Sequence, residues 1–217
     1  MASRITHALS LMLVAAAAVG CSASAPARFY TLDAAATPDS APAASYAVLV
    51  GPVSIPASVD RPEFVVQVAP NRVDVDEFNL WASPLNDSIA RVVAGDLAVL
   101  LGTPDVAVAP LANFSPAYRV TINVQRFESL AGEAAVVETV WTVRATAGGE
   151  PRSGRTLARE PLQGSGFDAL AAAHSRALVR VSSDIAAAIR AEAVQAAEVT
   201  KGSHPKSAKD RKGAPQK

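Results

Sequence analysis

The sequence predicts an α/β fold: a single domain with a mixed β-sheet of about six to seven strands, packed by two main helices. Three observations carry this expectation. Several segments alternate apolar and polar residues with the period of a half-buried strand. Two longer segments repeat apolar residues at steps of three and four, between residues that start and stop helices. One of these helices lies between strand segments, the order of a crossover connection that brings parallel pairing into a sheet.

Taken in chain order, Tyr46 to Pro56 (YAVLVGPVSIP) is apolar on both alternating faces. It reads as a central strand covered on both sides. EFVVQV at 63–68 puts Phe64, Val66 and Val68 on one face. The turn signal APN at 69–71 follows, then RVDVD at 72–76, which sets Val73 and Val75 against Asp74 and Asp76. Together they predict a hairpin buried on one side. Ser83 is the expected cap of a helix and Pro84 its first-turn residue. The stripe of this helix is Leu85, Ile89, Val92, Val93, Leu97, Leu100 and Leu101, and Gly102 and Pro104 stop it.

DVAVAP at 105–110 is a short strand. Tyr118, Val120, Ile122 and Val124 then alternate with Arg119, Thr121, Asn123 and Gln125, giving a strand with one wet face. SLAGE at 129–133 turns the chain into a returning strand over 136–145, which carries Trp141. A weaker strand covers 155–162. The last helix opens on Ser165 and Asp168, spaced as a capping box. It runs through Phe167, Leu170, His174, Leu178, Val181, Ile185 and Ile189 and is expected to fray beyond Glu192.

The ends differ from the body. Residues 9–19 are an unbroken run of Leu, Met, Val, Ala and Ser behind Arg4. The run is too short to span a bilayer, which takes about 20 apolar residues. It has the build of a secretory signal over residues 1–20. Cys21, the only cysteine, follows Ala18-Val19-Gly20. This resembles the lipobox of bacterial lipoproteins, in which the cysteine becomes the first mature residue and its sulfur carries a diacylglycerol. The usual Leu three residues before the cysteine is Ala18 here. By the same resemblance Ser22, in place of Asp, favours outer-membrane sorting. Residues 21–45, rich in Ala, Pro and Ser, read as a tether, apart from RFYTL at 28–32, which is expected to lie on the domain or a partner. The globular domain is expected over 46–198. Residues 199–217 carry six basic side chains against Asp210 and are expected to be disordered.

Between the ends stand 13 basic residues, all arginine, and 19 acidic ones. An acidic body argues against nucleic-acid binding, which needs a basic face for the phosphates. His174 sits on the last helix's apolar stripe and reads as a core-edge histidine with one hydrogen bond. No nucleophile and orienting acid are suggested beside it. Zinc lacks His and Cys ligands, no phosphate-cradling glycine motif is present, and no cofactor is indicated. Asp74, Asp76 and Glu77 form the densest acidic group but lack the glycine and later glutamate of a calcium loop, and read as a solvated strand face. Trp81 is read as packing against a helix start rather than as an interface anchor.

Residues 28–190 also resemble a known family, most specifically over 50–103. The pattern is a GPV strand, then Asp60, Arg61 and Pro62, an Asn71-Arg72 turn, Glu77-Phe78, and Trp81 and Ala82 followed by Pro84 and Leu85. RFYTL resembles the family's YYTL. These motifs are similar to those of the ABC-type transport auxiliary lipoproteins, also called the paraquat-inducible protein C family. The resemblance implies an α/β domain with a mixed sheet in a non-enzymatic, lipid-anchored periplasmic protein of the outer membrane. It implies as partners an MCE-domain protein that bridges the membranes and moves phospholipids, and that protein's inner-membrane permease. A homo-oligomer matching the ring symmetry of the MCE protein is compatible with it. The rival readings are a structural or assembly lipoprotein without a transport partner, and a small periplasmic hydrolase.

Overall fold

The computed structural model describes residues 25–202. Residues 1–24, with the signal and Cys21, and residues 203–217 of the basic tail lie outside the described residues. Eight strands and two helices follow in the order β1 (Arg28–Tyr30), β2 (Val48–Ser54), β3 (Glu63–Ala69), β4 (Arg72–Trp81), α1 (Leu85–Leu101), β5 (Val106–Val108), β6 (Tyr118–Leu130), β7 (Ala134–Ala145), β8 (Arg152–Pro161) and α2 (Gly166–Gly202).

The sheet is organised around β6. One edge pairs along its length with antiparallel β7, which pairs in turn with β8. The other edge is shared: Tyr118–Asn123 take parallel β2, and Ser129–Leu130 take parallel β3. From there the sheet continues as β2–β5 on one branch and β3–β4–β1 on the other. The parallel β2–β5 pair agrees with the expected crossover. A bulge near Gln125 lets β6 serve both branches. Before it the inward side chains are Tyr118, Val120, Ile122 and Val124; after it they are Phe127 and Ser129, one position out of phase. An extra residue in a strand shifts the alternation in this way.

Both helices pack against one face of this curled sheet, α1 over β2 and β5, α2 over β7 and β8, and against each other. Val48, Leu49 and Val50 are buried on both faces, as the apolar run predicts. The expected stripes of α1 and α2 supply the helical side of the core. Pro84, rather than Ser83, occupies the N-cap position of α1 and makes no side-chain cap bond. Gly102 takes the left-handed conformation at the C-cap, with Thr103 N–H returning to the Ala98 carbonyl at 3.1 Å. α2 does not end near Glu192 but continues to Gly202. The added turns include Ala193, Gln195, Ala196, Ala197 and Glu198, residue types that sustain a helix by intrinsic preference without an apolar stripe.

Two expectations need correction. The segment ahead of Tyr46 is not simply a tether: RFYTL lies on the domain, one of the two places expected for it, and the residues after it pack there too. Tyr30 and Leu32 are buried, and residues 33–44 run as a strap against the helices. Asp33 N–H donates to Ser175 Oγ at 3.1 Å, and the N–H groups of Ala35 and Ala36 donate to Asp96 Oδ1 at 2.9 and 3.0 Å. Ala44 N–H donates to the Leu101 carbonyl at 2.8 Å. Arg190 grips Asp39 through both terminal guanidinium nitrogens. An Ala/Pro composition cannot build its own core, but it can lie flat on one that exists. A Cβ on Gly95 would stand 2.8 Å from Ala34, so glycine there admits the strap.

The second correction concerns the hairpin. The pairs Val65–Val75 and Gln67–Val73 set the β4 valines on the face opposite Phe64. Phe64 is buried, whereas Val73 and Val75 are exposed. Its apolar residues therefore divide between two faces, and only the Phe64 side reaches the core.

Candidate functional site

The motif residues fall in three places. Seven of them, Asp60, Arg61, Pro62, Trp81, Ala82, Pro84 and Leu85, gather where β4 leaves the sheet for α1. Trp81 N–H donates to the Pro62 carbonyl at 2.7 Å, and Ala82 N–H to the Tyr30 carbonyl at 2.9 Å. One peptide step thus ties the Asp60-Arg61-Pro62 loop, β1 and the start of α1 together. The Trp81 ring stacks on Phe64 with centroids 4.1 Å apart and meets Phe127 edge-on at 6.0 Å. Phe64 in turn takes the edges of Tyr30 and Phe167. Trp81 and Leu85 are buried, while Asp60, Arg61, Pro62 and Pro84 are exposed. Together they line a surface depression of about 370 Å³. Trp81 is therefore a packing residue whose neighbours, not its own ring, face outward.

Asn71 and Arg72 lie elsewhere, at the exposed hairpin tip. They border a second depression of about 250 Å³ where β2 and β3 part from β6, opposite Arg126 and Glu128. Glu77 and Phe78 belong to neither. The β3–β4 register jumps from Phe64–Asp76 to Glu63–Leu80, so residues 77–79 bulge from the strand. Asp76 Oδ1 fixes this bulge by accepting the Phe78 and Asn79 N–H groups, each at 2.9 Å, and Asn79 Nδ2 at 2.8 Å. Burial pushes the Asp76 carboxyl up, and the hydrogen bonds from Asn79 and Phe78 outweigh it, leaving it below its ordinary value. This member of the acidic group thus shapes the backbone. No group of three or more metal-ligating side chains gathers among the described residues.

His174 is fully buried, deeper than a core edge. Its ring stacks on Phe127 with centroids 3.9 Å apart, and Nε2 shares a 2.8 Å hydrogen bond with Ser129 Oγ. Nδ1 has no partner, and burial lowers the pKa to about 3. A nucleophile–base pair needs access to substrate and a group that orients the base. This pair has neither.

Sequence reasoning missed the polar clasp. Asp96 is fully buried on α1; besides the two strap N–H groups it accepts Ser182 Oγ–H of α2 at 3.0 Å. Burial raises its pKa, and the hydrogen bonds from Ala36, Ser182 and Ala35 only partly counter that. The signal was present: Asp96 stands four residues after Val92 and four before Leu100, within the apolar stripe.

These features define an α/β module whose signature residues brace strand and helix ends and leave a polar rim, rather than assembling reactive groups. The model of the family described as ABC-type transport auxiliary lipoprotein component matches residues 30–186. The chain belongs to that family, as its motifs suggested. Membership implies membrane anchoring and association with an ABC transport system, and the family is not a known enzyme family. Among solved structures, protein XCC0632 from Xanthomonas campestris, assigned to the family model DUF330, is 25% identical with a TM-score of 0.66. That match covers 79% of this chain and 99% of the other. A second structure, of an uncharacterized protein, is 21% identical with a TM-score of 0.61, over 76% of this chain and 99% of its own, and shows the same fold. No curated protein matches. No helix among the described residues is long and apolar enough to cross a membrane.

Proposed function

We propose that the chain is a non-enzymatic, lipid-anchored subunit of an MCE/ABC-type lipid transport system. It docks the periplasm-spanning MCE protein at the outer membrane and so supports membrane integrity. The observation that carries this reading is the family match over most of the folded domain, 30–186. The lipobox-like setting of Cys21 supports it from the other end of the chain. Acyl chains on Cys21, each stabilised by about 0.8 kcal/mol per buried methylene, hold the protein to the inner leaflet. The braced domain presents its rim to the MCE protein, whose permease partners lie at the inner membrane. The geometry of the Ser129–His174 pair agrees with a role that needs no chemistry.

A strain lacking the chain tests this. The wild-type gene should restore resistance to detergent. A form with residues 1–21 replaced by an ordinary cleavable secretory signal should reach the periplasm, stay soluble and fail to restore it. Full restoration by the soluble form would remove the anchor from the function.

A further inference from the structure

Eight large apolar side chains are exposed among the described residues, and four of them, Phe29, Val73, Val75 and Phe78, lie on β1 and β4. The register makes them neighbours. Phe29 stands opposite Leu80, Leu80 opposite Glu63, and Val75 opposite Val65. Directly opposed residues share a face, and Phe64 fixes the other face as the core side. Phe29, Leu80, Val75 and Val73 therefore form one row on the face away from both helices, with Phe78 in the bulge beside it. Phe29 is 66% exposed, Val73 55%, Phe78 42% and Val75 41%. Contiguous apolar surface of this kind marks a contact with protein or membrane.

The length of the chain ahead of β1 decides between them. Cys21 precedes Arg28 by seven residues, which reach about 25 Å at full extension. Because residues 28–44 lie on the domain, these seven are the whole tether. β1 enters beside Asn79, at the corner where the row begins. The row's own face carries little charge, as a contact with lipid requires: by the register Arg28, Arg72, Asp74 and Asp76 all stand on the other face, and among the paired residues of β1, β3 and β4 Glu63, opposite Leu80, is the charged one that shares the row's face. We propose that the outer face of β1 and β4, carrying Phe29, Val73, Val75 and Phe78, rests on the phospholipid surface that holds the anchor. This rests on the reading of Cys21 as the acylated residue.

Single cysteines test it: Val75→Cys and Phe78→Cys, with Leu157→Cys on the far edge strand as control, since Leu157 is 62% exposed. Acylation occupies Cys21, so each variant has one free thiol for an environment-sensitive fluorophore. The full acylated chain is reconstituted into vesicles of phosphatidylethanolamine with a minority of phosphatidylglycerol and doxyl-labelled lipid. Quenching by the doxyl lipid should be roughly threefold stronger at 75 and 78 than at 157, as for side chains at the headgroup boundary. Equal, weak quenching at all three positions on vesicle-bound protein overturns the contact and leaves the anchor standing. Chain that is not acylated and not retained by vesicles overturns the anchor reading and the contact with it. Protection of 75 and 78 that rises with protein concentration without lipid assigns the face to a second copy. Protection seen only in native membranes assigns it to a protein partner. Either result overturns the proposal.

Discussion

The Trp81 amide donates to the Pro62 carbonyl at 2.7 Å, so two motifs 19 positions apart in the chain meet in one hydrogen bond. The bond holds the Asp60–Pro62 loop over the aromatic cluster and leaves Asp60 and Arg61 facing solvent. Structural and surface roles thus separate cleanly among the motif residues, and mutations should sort the same way. Trp81→Ala removes the ring stacked on Phe64 and should cost roughly 3–5 kcal/mol. Arg61→Ala and Phe78→Ala should stay within about 0.5 kcal/mol of wild type, as exposed positions do. Urea midpoints check both; a Trp81→Ala protein of wild-type stability would remove the aromatic cluster from the account.

Asp96 should behave as a clasp that works best uncharged. Asp96→Ala leaves two strap N–H groups and the Ser182 hydroxyl with a lost acceptor, at roughly 2–4 kcal/mol. Asp96→Asn keeps the acceptor and offers Nδ2–H to Ser182 Oγ, so it should fall within about 1 kcal/mol. The folded pKa lies above the ordinary 3.8, so ionisation costs the fold stability as pH rises from 3.8 through the raised value. The Asn variant should therefore gain on wild type across that window. A difference that is flat or runs the other way contradicts the assignment.

His174 sets an acid limb of stability. Its pKa is about 3 in the fold against 6.5 ordinarily. Between those values the unfolded chain takes up a proton that the fold refuses, so stability falls as pH drops below 6.5. The slope approaches about 1.4 kcal/mol per pH unit for one proton. The double variant His174→Phe with Ser129→Ala removes both partners without stranding either, and should flatten this limb in urea midpoints measured against pH.

Gly154 faces the Trp141 ring, and a Cβ there would stand 2.2 Å from it. The indole is held by its hydrogen bond to Thr156 Oγ1 at 3.0 Å, and Thr156 donates to Asp184 at 2.6 Å. Gly154→Ala should cost roughly 1–3 kcal/mol by overpacking. Thermal unfolding followed by tryptophan fluorescence reports it; an unchanged transition would mean that the indole is free to move.

Regular elements were legible because burial writes a period into the chain: both helix stripes and the β6 alternation are where the spacing puts them. The strap was not. Its contacts run from backbone N–H groups to Asp96 and Ser175, and an Ala/Pro segment carries no pattern that says what it lies on. The divided hairpin was hidden for a related reason. RVDVD shows an apolar face, but pairing decides which way that face points, and the Asp76 bulge resets the count before Trp81. Among the motif residues, the sequence grouped by order what the fold separates into a braced corner, a hairpin tip and a bulge.

The central claim, a lipid-anchored subunit of an MCE transport system, is tested most directly by cross-linking intact cells and purifying the C-terminally tagged chain from gently solubilised membranes. Mass spectrometry should find an acylated Cys21 peptide and an MCE-domain protein in good yield. Acylated Cys21 with no MCE or ABC component among the cross-linked proteins would contradict the claim.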